Sequence, residues 1–257
     1  MSNFGFFDLC VVNPYEASFR EARSAVGASE VLSEAREYAS VADAVADCAL
    51  VVGTTSAARR GLRLPLRRLE EGAKSIGKQM GHGRVALLFG SEKRGLSNKD
   101  LSHCNWLLRI PTREEHGSMN LGQAVAVCLY ELARGLTPLP KSKLSYETRQ
   151  ESSPSKRAKP LADAAAPAKS GELERVTAML LEALRTSGYL ESKASAAADE
   201  KVRRMVRRLK LSAADAELLL GMLRQMVWKC RRSDHEGPQI CAEERRSKKA
   251  RAANPRE

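Results

Sequence analysis

The 257-residue chain carries 43 Lys and Arg against 31 Asp and Glu, a formal net charge of +12, with 43% hydrophobic residues. That apolar content suffices for one sizeable core and a small second unit. No apolar run approaches the ~20 residues that cross a bilayer, and no basic-then-apolar opening marks export, so a cytoplasmic protein without membrane contact is expected.

Charge is unevenly placed. From Lys201 to Glu257 there are 16 Lys and Arg against 7 Asp and Glu, which points to a polyanionic partner near the C-terminal end, against the blander reading of a solvated basic surface. The six cysteines, Cys10, Cys48, Cys104, Cys128, Cys230 and Cys241, contain no C-x-x-C pair and do not combine with His82, His103, His116 or His235 at ligand spacing. Reduced thiols and no metal are the expectation.

In chain order, Leu9–Val12, Ala49–Val52, Val85–Phe89 and Trp106–Ile110 are β-rich runs, the first three nearly all apolar as in strands covered on both faces. Ala17–Ala28 and Val41–Cys48 read as helices between them, and Ser97 with Asp100 forms a capping-box start. A last helix is expected from Asn120 to Arg134, with Leu121, Val125, Cys128, Leu129 and Leu132 on one stripe and Gly135 ending it. This alternation predicts an α/β domain over 1–137 with a mostly parallel sheet.

Residues 138–171 shift to Pro, Ser, Ala and Lys without apolar periodicity, predicting a flexible linker. A three-helix unit is expected over 172–232. Its first stripe is Leu173, Val176, Leu180 and Leu184, stopped by Gly188; its second is Val202, Met205, Val206 and Leu209; its third opens at Ser212 with Ala216, Leu219, Leu223, Val227 and Cys230. Those stripes are core packing. Arg203, Arg204, Arg207 and Arg208 fill the opposite face of the second helix, a candidate RNA-binding surface or a merely solvated one. From 233 to 257 a charged, non-periodic tail is expected to lack structure.

Neither a phosphate loop nor a G-x-G-x-x-G after a strand is present. Three turns after strands do carry Gly with small polar or acidic residues: Gly53-Thr54-Thr55-Ser56, Gly90-Ser91-Glu92-Lys93-Arg94-Gly95-Leu96, and Pro111-Thr112 followed by Gly117-Ser118-Met119-Asn120-Leu121. Ligands of open α/β sheets bind beyond the carboxyl ends of strands, so the three turns can share one pocket.

The string Val85-Ala86-Leu87-Leu88-Phe89-Gly90-Ser91-Glu92 with Arg94-Gly95-Leu96-Ser97 resembles the second motif of the SpoU-type (SPOUT) RNA 2'-O-methyltransferases. Ile110-Pro111 with Ser118-Met119-Asn120-Leu121 and Gln123-Ala124-Val125 resembles their third, and with Val51-Val52-Gly53-Thr54 the likeness spans nearly all of residues 1 to 134. It implies an α/β fold with a deep trefoil knot, a homodimer, and S-adenosyl-L-methionine as methyl donor. By position, it implies that Thr54, Thr55, Ser56, Gly90, Ile110, Gly117, Ser118, Met119 and Leu121 line the donor site, and that Glu92, Ser118 and Asn120 are catalytic.

The family opens with a strand, an Asn-rich turn and a helix bearing the arginine that handles the hydroxyl proton, ahead of residues equivalent to Asn3-Phe4-Gly5-Phe6. Since the chain begins inside that expected helix, a start codon lying further upstream is the expectation. Arg20, Arg23, Arg94 and Arg113 are the nearby cations, none singled out by spacing. The helical unit, at Leu173-Glu174-Arg175 and Leu223-Arg224-Gln225-Met226, resembles the extension on bacterial enzymes that methylate the ribose at tRNA position 32. Ribosomal RNA as substrate, a non-catalytic RNA-binding protein of the same fold, and a helical module for an acidic protein are the alternatives left open.

Overall fold

A computed structural model describes residues 1–14, 29–56, 64–113, 115, 117, 119–136, 166–190 and 196–252. The expected helix Ala17–Ala28, the expected linker from 138 to 165, and Arg20, Arg23 and Ser118 lie outside them. All four expected strands are present, as β1 (Cys10–Val12), β3 (Leu50–Thr54), β5 (Val85–Leu88) and β6 (Trp106–Arg109). Two short strands, β2 (Arg36–Tyr38), which follows the five-residue helix α1 (Ser29–Ser33), and β4 (Leu66–Arg68), join them, with β1 and β2 forming a parallel pair and the others a parallel sheet in the order β4-β6-β3-β5.

The central strands are covered on both faces. Val51 and Leu107 pack with Val45, Cys48, Leu96, Leu101 and Cys104, under α2 (Val41–Ala44) and α4 (Asn98–Ser102). Val52, Trp106 and Leu108 face the other way, onto Leu69, Ala73 and Ile76 of α3 (Leu69–Met80) and Cys128, Leu129 and Leu132 of α5 (Leu121–Leu136). Gly72 lets α3 lie close on the sheet, since a Cβ there would sit 2.2 Å from Leu108 Cδ1. The predicted capping box at Ser97 and Asp100 forms, with reciprocal side-chain and backbone bonds. Helix α5 runs one residue past Gly135, where it was expected to end, because this glycine does not take the left-handed φ of a helix stop and the helix carries on to Leu136.

Helices α6 (Ser170–Thr186), α7 (Ala196–Arg208) and α8 (Ala213–Ala252) form the second unit, its core built from Leu173, Val176, Val206, Ala216, Leu220 and Leu223. Gly188 stops α6 at a positive φ of 75°, and Ser212 accepts from the Asp215 amide at the start of α8. Three expectations change. Residues 166–171, expected within the linker, are packed: Ala168 is buried, its amide donates to Leu211, and Pro167 bridges Ser212. The expected structureless tail is helical to Ala252, its Glu, Arg, Lys and Ala being strong helix formers even without an apolar stripe. The third concerns α7. Met205 and Leu209 are exposed, while Arg207 is buried beside the fully buried Val206.

That reversal comes from docking. The amides of Ser170 and Gly171, orphan donors at the start of α6, donate to Cys48 and Ala46 of the α/β body. Above them α7 lies against α4. Arg203 makes a two-pronged contact with Glu174 at 2.8 to 3.0 Å and reaches Ser102 Oγ at 3.2 Å. Arg207 donates to Ser170 Oγ at 3.0 Å and lies 3.6 Å from Glu174, with its Nε buried and unpartnered. The face of α7 taken for a polyanion surface is thus partly a polar seam between the two units.

Candidate functional site

Because β3, β5 and β6 are neighbours and parallel, the turns that follow them leave the same edge of the sheet. Gly53 permits the first turn to start close to the core, as a Cβ would lie 2.8 Å from Cys104 Sγ. Thr54 then donates from Oγ1 to Leu88 O at 2.8 Å, and the Thr55 amide donates to Leu108 O, tying that turn to both adjacent strands.

The second turn folds back on itself. The Gly95 amide donates to Ser91 O, and Gly95 takes a φ of +67°. Gly90 lies so near the returning strand that a Cβ would meet Gly95 C at 2.0 Å. The third turn is held by Thr112 Oγ1 donating to Gly117 O at 3.4 Å.

Together the three turns enclose a cleft of about 210 Å³. Every described residue expected at the donor site lines it: Thr54, Thr55, Ser56, Gly90, Ile110, Gly117, Met119 and Leu121. Glu92 lines it too. Asn120 stands behind Glu92, donating from Nδ2 to Oε1 at 2.8 Å, while the Leu121 amide at the start of α5 donates to the same oxygen at 3.4 Å. The carboxylate therefore sits at the positive end of a helix, locked to the residue before it. Of the cations, Arg94 lines the cleft, whereas Arg113 does not.

Residue reasoning missed the floor. Leu96, Leu101, Leu108 and Ala124 supply apolar walls that a flat heterocycle could lie against. Leu96 and Ala124 were inside the two motifs, but Leu108 lay within an expected strand and Leu101 was not singled out, and nothing in their spacing marks them as cleft-facing.

The buried thiols take no part. Burial pushes Cys104 and Cys128 up to about 12 and Cys48 to about 11, so all three stay protonated.

Among the described residues no helix is long and apolar enough to cross a membrane. The model of the SpoU rRNA methylase family matches residues 1–130. A tRNA (cytidine/uridine-2'-O-)-methyltransferase TrmJ from Yersinia pestis (strain Pestoides F) is 31% identical over 224 residues, 87% of this chain and 82% of its own. A protein of the same name from Photorhabdus laumondii is 31% identical over 227 residues, covering 87% and 86%. The crystal structure of TrmJ from Z. mobilis ZM4 superposes with a TM-score of 0.70 at 29% identity, covering 88% of this chain and 89% of that one.

Proposed function

Since this chain belongs to the SpoU rRNA methylase family, we propose that it transfers a methyl group from S-adenosyl-L-methionine to a ribose 2'-hydroxyl of tRNA, at anticodon-loop position 32. The observation that carries this reading is the convergence of three post-strand turns on one cleft with an apolar floor and a carboxylate at its rim.

The lining of the cleft suits such a donor. Leu96, Leu101, Leu108, Ile110 and Met119 offer the apolar contact an adenine needs, and the turn at Thr54–Ser56 and Gly117 brings polar main chain to its edge. When bound, the donor supplies an electrophilic methyl on a sulfonium. The protein's own contribution is placement. Transfer between two held partners in line gains much of its rate from orientation, and a locked Glu92–Asn120 pair offers the ribose a fixed hydrogen-bonding edge. Arg94, on the same turn, lines the cleft and is the cation we assign to the charge that develops as the hydroxyl loses its proton. Ser118, outside the described residues, keeps the catalytic role that the family resemblance implies.

The test is methyl incorporation into an unmodified tRNA transcript and into one carrying 2'-deoxyribose at position 32. Incorporation into the first alone is expected. Equal labelling of both would move the target elsewhere, and labelling of neither, with no donor binding by calorimetry, would overturn the assignment.

A further inference from the structure

Arg203 and Arg207 are committed to the seam with the α/β body, so the polyanion contact of the helical unit must lie largely elsewhere. Helix α8 offers the place. It turns Ala216, Leu220, Leu223 and Val227 into the core. Its solvent side carries large apolar groups as well, Leu218, Met222 and Met226 in one row at four-residue intervals and Trp228 in a separate row, all more than half exposed (61%, 51%, 58% and 54%). An amphipathic helix normally gives that side to charge, and a second apolar face marks a contact surface.

The charge around this face selects the occupant. Arg224, Lys229 and Arg232 are exposed along the same stretch, Arg231 being paired with Glu182 of α6, and no acidic residue of α8 lies between 223 and 232. Arg224, Trp228 and Arg232 follow one another at four-residue intervals, a single row on the helix, and the Arg232 guanidinium stands 5.3 Å from the centre of the Trp228 ring. Exposed aromatic surface beside guanidinium groups matches an unpaired nucleotide, whose base stacks while its phosphate meets the cations. A protein partner would have to bring carboxylates to the same spot.

We propose that Trp228, with Arg224 and Arg232, is a base-stacking site through which the helical unit grips an unpaired nucleotide of the substrate RNA. This rests on the RNA-methylating reading above and adds to it a contact remote from the donor cleft.

The experiment measures binding of an unmodified tRNA transcript to the full chain, with tryptophan emission followed in the same titration. RNA quenches the exposed Trp228 in the wild type but leaves the emission of Trp228→Phe, which keeps only buried Trp106, nearly unchanged. Trp228→Ala weakens binding between about five- and a hundredfold, the range of one lost stacking contact, while Trp228→Phe retains most affinity. An oligonucleotide with abasic loop positions loses affinity for the wild type and not for Trp228→Ala. Binding by Trp228→Ala within twofold of wild type, with methyl transfer intact, overturns this proposal alone. So does a blue shift of Trp228 that grows with protein concentration in the absence of RNA, which would give the face to a second copy of the chain. If the wild type binds no tRNA at all, the functional reading falls with it.

Discussion

Gly90 and Gly95 stand in one turn but are constrained by different physics. A side chain at Gly90 would collide with backbone, 2.0 Å from Gly95 C and 2.1 Å from Leu96 N, and no rotamer change relieves that. Gly95 has open space around it and needs only its left-handed φ of +67°. Gly90→Ala should therefore cost about 3 kcal/mol or more and open the cleft, while Gly95→Ala should cost about 1 kcal/mol of backbone strain. Urea unfolding of the two variants, with donor affinity alongside, checks this; equal losses would mean that the close approach is not the constraint. Glu92 separates charge from shape in the same way. Glu92→Gln keeps an oxygen for the Asn120 and Leu121 donors, whereas Glu92→Ala removes it and leaves the Leu121 amide without that acceptor, the Asn120 Oδ1 cap on the Gln123 amide remaining. We expect the alanine variant to lose about 1 kcal/mol of stability and at least tenfold in kcat/KM, roughly the yield of misplacing a reacting group. The glutamine variant should lose only the helix-end charge interaction, about 0.5 kcal/mol, so a larger loss of turnover there isolates the carboxylate's charge in the reaction.

Helices and strands were legible where burial is two-sided or capping chemistry is local. The strands β1, β3 and β5 read out as apolar runs, and the cap at Ser97 as a pair of residues three apart. Other elements did not. Arg36–Tyr38 and Leu66–Arg68 are three-residue, charged edge strands, and α3 spends only a few apolar positions on the sheet because Gly72 does much of the packing by being small. The donor-site residues were legible through turn chemistry, yet the cleft floor was not, because a leucine facing a ligand and one facing a helix look the same in sequence. The misread face of α7 has the same origin: its arginines alternate with apolar residues whether the neighbour is water or another unit. Docking at α6 offers a test at this scale. A Cβ on Gly171 would stand 3.0 Å from Ala46 O, pressing on the contact whose amide already donates there. Gly171→Ala gains up to about 1 kcal/mol of helix propensity but strains both amide contacts to the α/β body. Faster hydrogen exchange at the start of α6, with the central strands unchanged, is the expected result; a net gain in protection would show that the seam has slack.

At the scale of the whole molecule, the two units meet across His103, Arg203, Arg207 and Glu174, and this seam should respond to acid. His103 lies 3.7 Å from Glu174, which by distance alone would make an ion pair. Burial outweighs it, and with Arg203 and Arg207 beside the ring, the imidazole is pushed down to about 4 and stays neutral. Glu174 and, more weakly, Asp100 pull the other way. An unfolded or undocked histidine titrates near 6.5, so the seam favours the unprotonated ring. Its stabilising share is complete above about pH 6.5 and is lost as pH falls towards about 4, up to roughly 3 kcal/mol in all. Arg207 adds a penalty on the same side of the balance, since burial lowers it to about 10 without removing its charge at neutral pH. Its burial is tolerable only while Glu174 faces it. Glu174→Gln should thus cost about 3 kcal/mol at neutral pH, the usual consequence of stripping a buried charge of its partner. His103→Gln should remove most of the acid slope between about pH 6.5 and 4 while leaving neutral-pH stability nearly intact. Amide exchange resolved by segment distinguishes undocking from global unfolding: protection should fall first in α4 and α7, with β3 and β6 following only at lower pH. A wild-type profile flat across that window would mean that the imidazole is not held neutral by the docked helices.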